Sequence, residues 1–266
     1  MIHNIILTIL ILFIIFVIFY IYSHKIDYTY DHYDNYDIDN NNIYFLNKNE
    51  LFDFLKRDED NYFKTFYKND YNARHINSIS NYIDLIEESV ADFDDNEKTK
   101  IIKAINDAHH FFSKIRFNWF NGSYANQIKW IIGTVKNKNY EHGLPHTRNN
   151  IIIISKNDIQ RYSHNKLTKT LIHEKVHIYQ KMYKEHVQIY LKEHNIKILK
   201  KRNEEDNTRS NPDLDNYIYS DSNNNIYKAI YNQNPKSIED IKYTPFPNQS
   251  SEHPFEKMAI FIENLK

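Results

Sequence analysis

The sequence predicts an α+β domain: amino-terminal helices, a small mixed or antiparallel sheet, a helix rich in ionisable side chains and a short carboxy-terminal helix. Three observations predict it. Ile79, Ile83, Ile86, Val90 and Phe93 recur in alternating steps of four and three, as one face of a helix does. Residues 127–135 (QIKWIIGTV) and 151–154 (IIII) are β-branched runs that read as strands. Residues 168–180 contain no Gly or Pro and follow possible caps at Ser163 and Asn165, so they read as a helix.

Taken in order, the chain opens on residues 5–22, an uncharged stretch of 18 residues long enough to cross a hydrocarbon core. No Lys or Arg precedes it, and Tyr20-Ile21-Tyr22 closes it where a cleaved leader would carry small residues, so an uncleaved single-pass anchor is expected over 1–25. Lys25 is the sole nearby basic residue, and the side of the membrane stays open. Residues 26–43 are acidic, Tyr-spotted and without period, which predicts a solvated stalk in which His32 is a surface residue. The domain proper is expected over 44–266.

Within it, short helical segments fall near 51–55 and 62–67, followed by the Ile79 helix. A second helix is expected to begin near Asn96, with Asp94 and Asp95 at its start, and to carry Ile101, Ile105, Ala108, Phe112 and Ile115 on one side. The two helices are expected to pack together, with His109 and His110 on the polar face. Between the two strands lies a loop, Glu141 to His146. Residues 201–225 are polar and broken by Pro212, which predicts a long surface excursion with a turn at 209–213.

Composition narrows the function. A net charge of −1, with no basic stripe, argues against a nucleic-acid partner. With no cysteine, disulfides and thiolate chemistry are excluded, and a metal must be held by His, Asp, Glu or backbone. The excess of Asn, Ile, Lys and Tyr, with only 3 Gly, reads as drift under an AT-rich genome.

His173-Glu174-Lys175-Val176-His177 is the segment that carries chemistry. On a helix, residues four apart share a face, so the two imidazoles can converge on one zinc ion. Glu174 stands beside them, placed to take a proton from water acidified by the metal and pass it to a leaving amine. Leu171, Ile172, Val176, Ile178 and Tyr179 bury one side of this helix. The segment resembles the signature of the zincin metallopeptidases. That resemblance implies a zincin-like fold, a Zn2+ cofactor and hydrolysis of peptide or protein substrates lying along an edge strand, with Glu174 as general base.

Lys175 departs from the zincin pattern, because it falls inside the apolar arc. Either its stem lies along apolar surface with the amine in water, or the amine meets a buried carboxylate from the later excursion; the ion pair is the expectation.

The metzincin continuation is missing after Gln180, which leaves the gluzincin branch and a downstream glutamate as third ligand. A helix is expected to start at His253-Pro254, with Glu256, Ala259, Ile260 and Glu263 on one face. Glu256, 79 residues beyond His177, is the expected ligand, since it stands one turn from a small residue that permits close approach; Glu263 competes with it. Glu185 and Glu193 point along the metal helix or its extension, away from the imidazoles. Tyr217, Tyr219, Tyr227 and His253 are candidate oxyanion donors, and His142 and His146 are structural loop residues.

Residues 50–266 are also similar to zincin-like proteins of large DNA viruses, through Asp70-Tyr71-Asn72-Ala73-Arg74, Leu144-Pro145-His146-Thr147-Arg148, Asn211-Pro212-Asp213 and His253-Pro254-Phe255-Glu256. The sequence thus predicts a membrane-anchored zinc peptidase at a viral or host membrane. The alternative is a membrane-tethered structural or binding protein with a zincin-like fold and no catalysis.

Overall fold

The computed structural model describes residues 42–244 and 252–266. The expected anchor at 5–22, and all but the end of the stalk, lie outside the described residues. No helix among the described residues is long and apolar enough to cross a membrane.

Strand β1 (Ile43–Phe45) leads into α1 (Lys48–Arg57), whose start is closed by a reciprocal cap between Asn47 and Glu50. Next come α2 (Lys68–Ala73), α3 (Ile79–Ser89), β2 (Val90–Ala91) and α4 (Asp95–Phe112), the last capped by Asp94 and Glu97. The ribbon β3 (Arg116–Phe117) and β4 (Phe120–Asn121) precedes α5 (Gly122–Gln127). Strands β5 (Trp130–Val135), β6 (His146–Arg148) and β7 (Ile151–Ser155) are followed by α6 (Lys156–Arg161), α7 (His164–Met182) and α8 (Lys184–Glu193). Strands β8 (Lys197–Lys201), β9 (Tyr217–Ser220), β10 (Ile226–Tyr231) and β11 (Ile241–Thr244) precede α9 (Pro254–Glu263). The described residues therefore form a mixed α+β fold, with nine α-helices and three sheets among them.

The main sheet has the order β1-β5-β7-β6, with β2 also pairing β5. The β1–β5 and β5–β7 pairs are parallel, and the β2–β5 and β6–β7 pairs are antiparallel. Alternate residues of its central strands face opposite ways. Trp130, Ile132, Ile152 and Ile154 join a core built from α4, α7, α8 and α9. Val135, Ile151 and Ile153 join a second core built from α1 and α3. Burial on both faces is why these strands read as unbroken apolar runs.

Two expectations about the helices change. The face that begins at Ile79 runs past the end of α3, because Val90 leaves the helix to pair with Val135. Ile86 and Val90 are buried as expected, Tyr82 is buried with them, and Ile79 is exposed. Helices α3 and α4 do not form one packed pair, since their apolar faces belong to the two different cores.

Residues 201–225 are not a surface excursion. They contribute to a four-stranded antiparallel sheet of order β11-β10-β9-β8, and Arg202, Asp206, Ser210 and Asp213 are buried. Their polarity misleads because it is satisfied internally. Asp70 accepts from the Ser210 backbone N–H (2.8 Å), the Ser210 hydroxyl (3.0 Å) and Tyr231 (3.0 Å). Arg148 forks onto Asp58 (2.7 Å) and Asp60 (2.6 Å). Polar groups inside a fold need such partners.

Glu141 anchors this interior. Its backbone is left-handed (φ 44°), as is that of His142 (φ 56°), an arrangement that costs free energy in residues other than glycine. Its carboxylate is pinned by Arg74 (Nε 2.8 Å, Nη2 2.7 Å), Tyr62 (2.9 Å) and Tyr82. Burial alone would raise its pKa, but the Arg74 guanidinium outweighs burial and holds it at about 2. A depressed folded-state value means that the stabilisation is complete above the ordinary value near 4.5 and is lost as pH falls toward 2. Urea unfolding between pH 6 and pH 3 is expected to show a loss of stability that Glu141→Gln lacks, with the variant the less stable at pH 6.

Candidate metal centre

Helix α7 starts at the Ser163 cap, whose hydroxyl accepts from the Lys166 backbone N–H. Its inner face is sealed by Leu171, Ile172, Val176, Ile178 and Tyr179, all with no exposed surface. This locks the helix's rotation and sends His173 and His177 toward α9. There Ala259, also fully buried, lets the two helices come close.

His173, His177 and Glu256 meet at this contact as a group able to hold a metal ion. The two Nε2 atoms are 3.0 Å apart. Glu256 Oε2 lies 3.3 Å from His173 Nε2, and Oε1 lies 3.7 Å from His177 Nε2. Donors about 2.0–2.1 Å from a zinc ion in a tetrahedron stand about 3.3 Å from one another, so the spacing fits such an ion.

Hydrogen bonding fixes what these atoms offer. His173 Nδ1 faces Glu263 Oε2 at 3.1 Å, and a carboxylate only accepts, so Nδ1 carries the proton. Gln180 donates to the Phe255 carbonyl (2.9 Å), which turns its amide oxygen toward His177 Nδ1 (2.9 Å) and places a proton there too. Both Nε2 atoms of the neutral rings are then acceptors that face each other and a carboxylate. Only a cation or added protons satisfy that arrangement. The outer partners Glu263 and Gln180 are of the kind that orients metal-binding histidines.

The electrostatics agree. Burial pulls His173 down, but the hydrogen bonds its protonated ring donates to Glu256 and Glu263 outweigh it and leave the imidazole well above the usual histidine range. Burial likewise opposes His177, which the charges of Asp213 and Glu256 raise. Burial opposes the ionised form of Glu256, which the two imidazoles hold well below the usual carboxylate range. The site attracts positive charge, for which protons and a metal ion compete. Glu174, beside the group, is buried, and its Oε2 has no partner among the described residues. Burial, then Asp213, pushes its carboxyl up.

Comparison with protein-family models, with curated proteins and with solved structures finds no match to this chain.

The structure brings His173, His177 and Glu256 together beside Glu174, and the two carboxylates of α9 face different nitrogens of His173, Glu256 at Nε2 and Glu263 at Nδ1. Glu193 instead accepts from Asn118 (3.0 Å), and the helix breaks at Tyr183, so α8 is a separate element. His142 pairs with Glu239 at the surface, and His146 is buried in β6 with Nδ1 on the Leu144 carbonyl (2.8 Å). Among the candidate oxyanion donors, His253 Nε2 and the Tyr219 hydroxyl are both directed at Asp215, and the Tyr227 hydroxyl is directed at Asp221. The side chains of His253, Tyr219, Tyr227 and Asp215 line a cleft of about 580 Å³, along with Tyr217, Lys181, Asn211 and Asp213.

Sequence reasoning missed Gln180, although it stands three residues beyond His177 and one turn along the same helix. It also missed Asn211 and Asp213, which gain their roles only when the chain folds back from the second sheet.

Neither expectation for Lys175 holds. Its side chain is fully buried, and its Nζ donates to the backbone carbonyls of Ile128 (2.5 Å) and Lys129 (3.1 Å), over the Trp130 ring (4.1 Å). These carbonyls lie in the link between α5 and β5, where the ring face and two dipoles replace the carboxylate. Burial pushes the amine well below the usual lysine range. A depressed folded-state pKa means stability that is complete above the ordinary value of 10.5 and is lost as pH falls through the folded value. Wild type is therefore expected to gain stability relative to Lys175→Met between pH 7 and pH 10 in denaturant unfolding; parallel curves would show that the amine is charged in both states.

Proposed function

We propose that this chain is a zinc-dependent peptidase of the gluzincin type, with His173, His177 and Glu256 as ligands and Glu174 as general base. The observation that carries this reading is the convergence of the two Nε2 atoms on one carboxylate, with a buried Glu174 beside them whose Oε2 has no partner among the described residues. A two-imidazole, one-carboxylate donor set suits catalytic zinc, which takes water as its fourth ligand. Zinc bound there would acidify water and polarise a substrate carbonyl.

The protein groups supply the rest. Glu174 takes the proton from water and delivers it to the leaving amine. Glu263 and Gln180 hold the imidazoles in the tautomer that presents Nε2. The apolar packing of α7 and α9 keeps the donors in place before any metal arrives. Anchoring through residues 5–22 would confine the activity to peptide or protein substrates near a membrane.

One observation favours the second reading, a tethered binding or structural protein without catalysis. The edge strand β6 is closed on itself: the Thr147 N–H donates to Asp213 (2.6 Å), and the Thr147 carbonyl accepts from Lys181 (3.2 Å). A peptide adding to that edge must displace both.

The test uses the full-length chain, zinc analysis and a peptide library. Stoichiometric zinc is expected in wild type and in Glu174→Gln, with cleavage reduced on the order of 10²–10⁴-fold in the variant. Undiminished cleavage in Glu174→Gln removes the base. Zinc lost in His173→Ala without cleavage by wild type favours the tethered, non-catalytic protein.

A further inference from the structure

The residues around Glu256 include a chain of buried polar groups that the mechanism above does not use. Arg209 sits beside β10, its backbone N–H donating to the Ala229 carbonyl (2.9 Å) and its Nη1 to the Ile238 carbonyl (3.3 Å). Its guanidinium forks onto Glu252, through Nε to Oε2 (3.3 Å) and through Nη2 to Oε1. Both side chains are largely withdrawn from solvent, at 12% and 4% exposure. Glu252 stands one turn before Glu256 and needs this pairing, because a second uncompensated carboxylate there would compete for the same cation.

Asn211 links that pair to the metal group. Its amide orientation is fixed, since Oδ1 accepts from the Asp213 backbone N–H (3.0 Å). The two hydrogens of Nδ2 are then both spent on carboxylates, one on Glu252 Oε1 (2.8 Å) and the other on Glu256 Oε1 (3.2 Å). The two oxygens of Glu256 face different imidazoles, Oε1 at 3.7 Å from His177 Nε2 and Oε2 at 3.3 Å from His173 Nε2. Asn211 thus fixes the carboxylate through Oε1, the oxygen on the His177 side.

We propose that Asn211, oriented by the Arg209–Glu252 pair, is a positioning residue that fixes the carboxylate of Glu256 through Oε1 and thereby sets the affinity and coordination of the metal site. This rests on the zinc reading above. It assigns a role to a residue 45 positions from the ligand, contributed by the connection between β8 and β9, and so couples that connection to the metal. Outer partners of metal ligands typically account for roughly 10–100-fold in affinity.

The test is competition of full-length protein with a chelating indicator for zinc, together with the visible spectrum of the cobalt(II)-loaded protein and the melting temperature of the metal-free protein. Asn211→Ala is expected to bind zinc roughly 10–100-fold more weakly. Asn211→Leu, neutral and of similar size, removes both donated hydrogens without adding a charge beside Glu252 and Glu256, and is expected to bind zinc as weakly as Asn211→Ala. The cobalt spectrum should change in both, and a cooperative metal-free melting transition shows that each variant folds. Zinc affinity and cobalt spectrum equal to wild type in Asn211→Leu would overturn the proposal, whether or not Asn211→Ala folds. His173→Ala separates the two readings: if it binds zinc as wild type does, the metal site itself is misassigned, whereas loss of zinc in His173→Ala with unchanged affinity in Asn211→Leu defeats only the role of Asn211.

Discussion

The contact between α7 and α9 is the constraint on which the site depends. Two short donors on one helix cannot enclose an ion, so a third must arrive from elsewhere, and Ala259 removes the bulk that would keep α9 away. The same contact sets both carboxylates of α9 to work: Glu256 and Glu263, seven residues apart, flank His173 on its two nitrogens. Burial of Met258 and Ile262 beside Ala259 fixes the rotation of α9 as the apolar arc fixes that of α7. Hydrophobic packing with no chemistry of its own therefore determines the separation and direction of every polar donor.

A second layer of organisation is electrostatic. The protein hides Arg74, Arg148, Arg202 and Arg209 and matches them with Glu141, Asp58, Asp60, Asp70 and Glu252. A buried pair adds little net stability compared with apolar packing, but removing one partner leaves a stranded charge and costs several kcal/mol. Such pairs act as register marks. They oblige α2, the Glu141 turn and the sheet β8–β11 to meet in one arrangement, which is why the short segments Asp70–Arg74, Thr147-Arg148 and Asn211–Asp213 become neighbours in space while scattered in sequence.

How much of this was legible in the sequence follows from range. Local signals were readable: the Asp94 cap of α4, the β-branched strands, Pro254 opening α9 and the four-residue spacing of His173 and His177 each depend on neighbours a turn away. Glu256 was readable as one of two carboxylates on a face near a small residue, and only folding could divide their tasks. Residues 201–225 were misread because buried polar residues and solvated ones have the same composition; partners 140 positions apart, such as Asp70 and Ser210, leave no periodic trace. Asparagine was misread for a related reason. In a chain with 3 Gly, Asn61, Asn149, Asn195, Asn207, Asn224 and Asn234 occupy the left-handed conformations that turns and helix ends require, so a bias discounted as drift serves the backbone.

The closed edge of β6 bears on how a substrate would reach the centre. An exposed edge strand invites unwanted pairing, and covering it is a common protection. Here the cover is ionic, with Lys181 on α7 and Asp213 on the segment that also carries Asn211. Strand addition at Thr147 would break the bonds to Asp213 and Lys181, and the displaced segment would take with it the amide that holds Glu256 Oε1. Occupancy of the edge and the orientation of the third donor are therefore linked through residues 211–213. A ligand lying instead in the neighbouring cleft, against Tyr217, Tyr219 and His253, leaves that segment in place and keeps the donors as they stand. Such a ligand meets Asn211 and Asp213 from the cleft they line, so it touches the segment that holds Glu256 without breaking the bonds that cover β6.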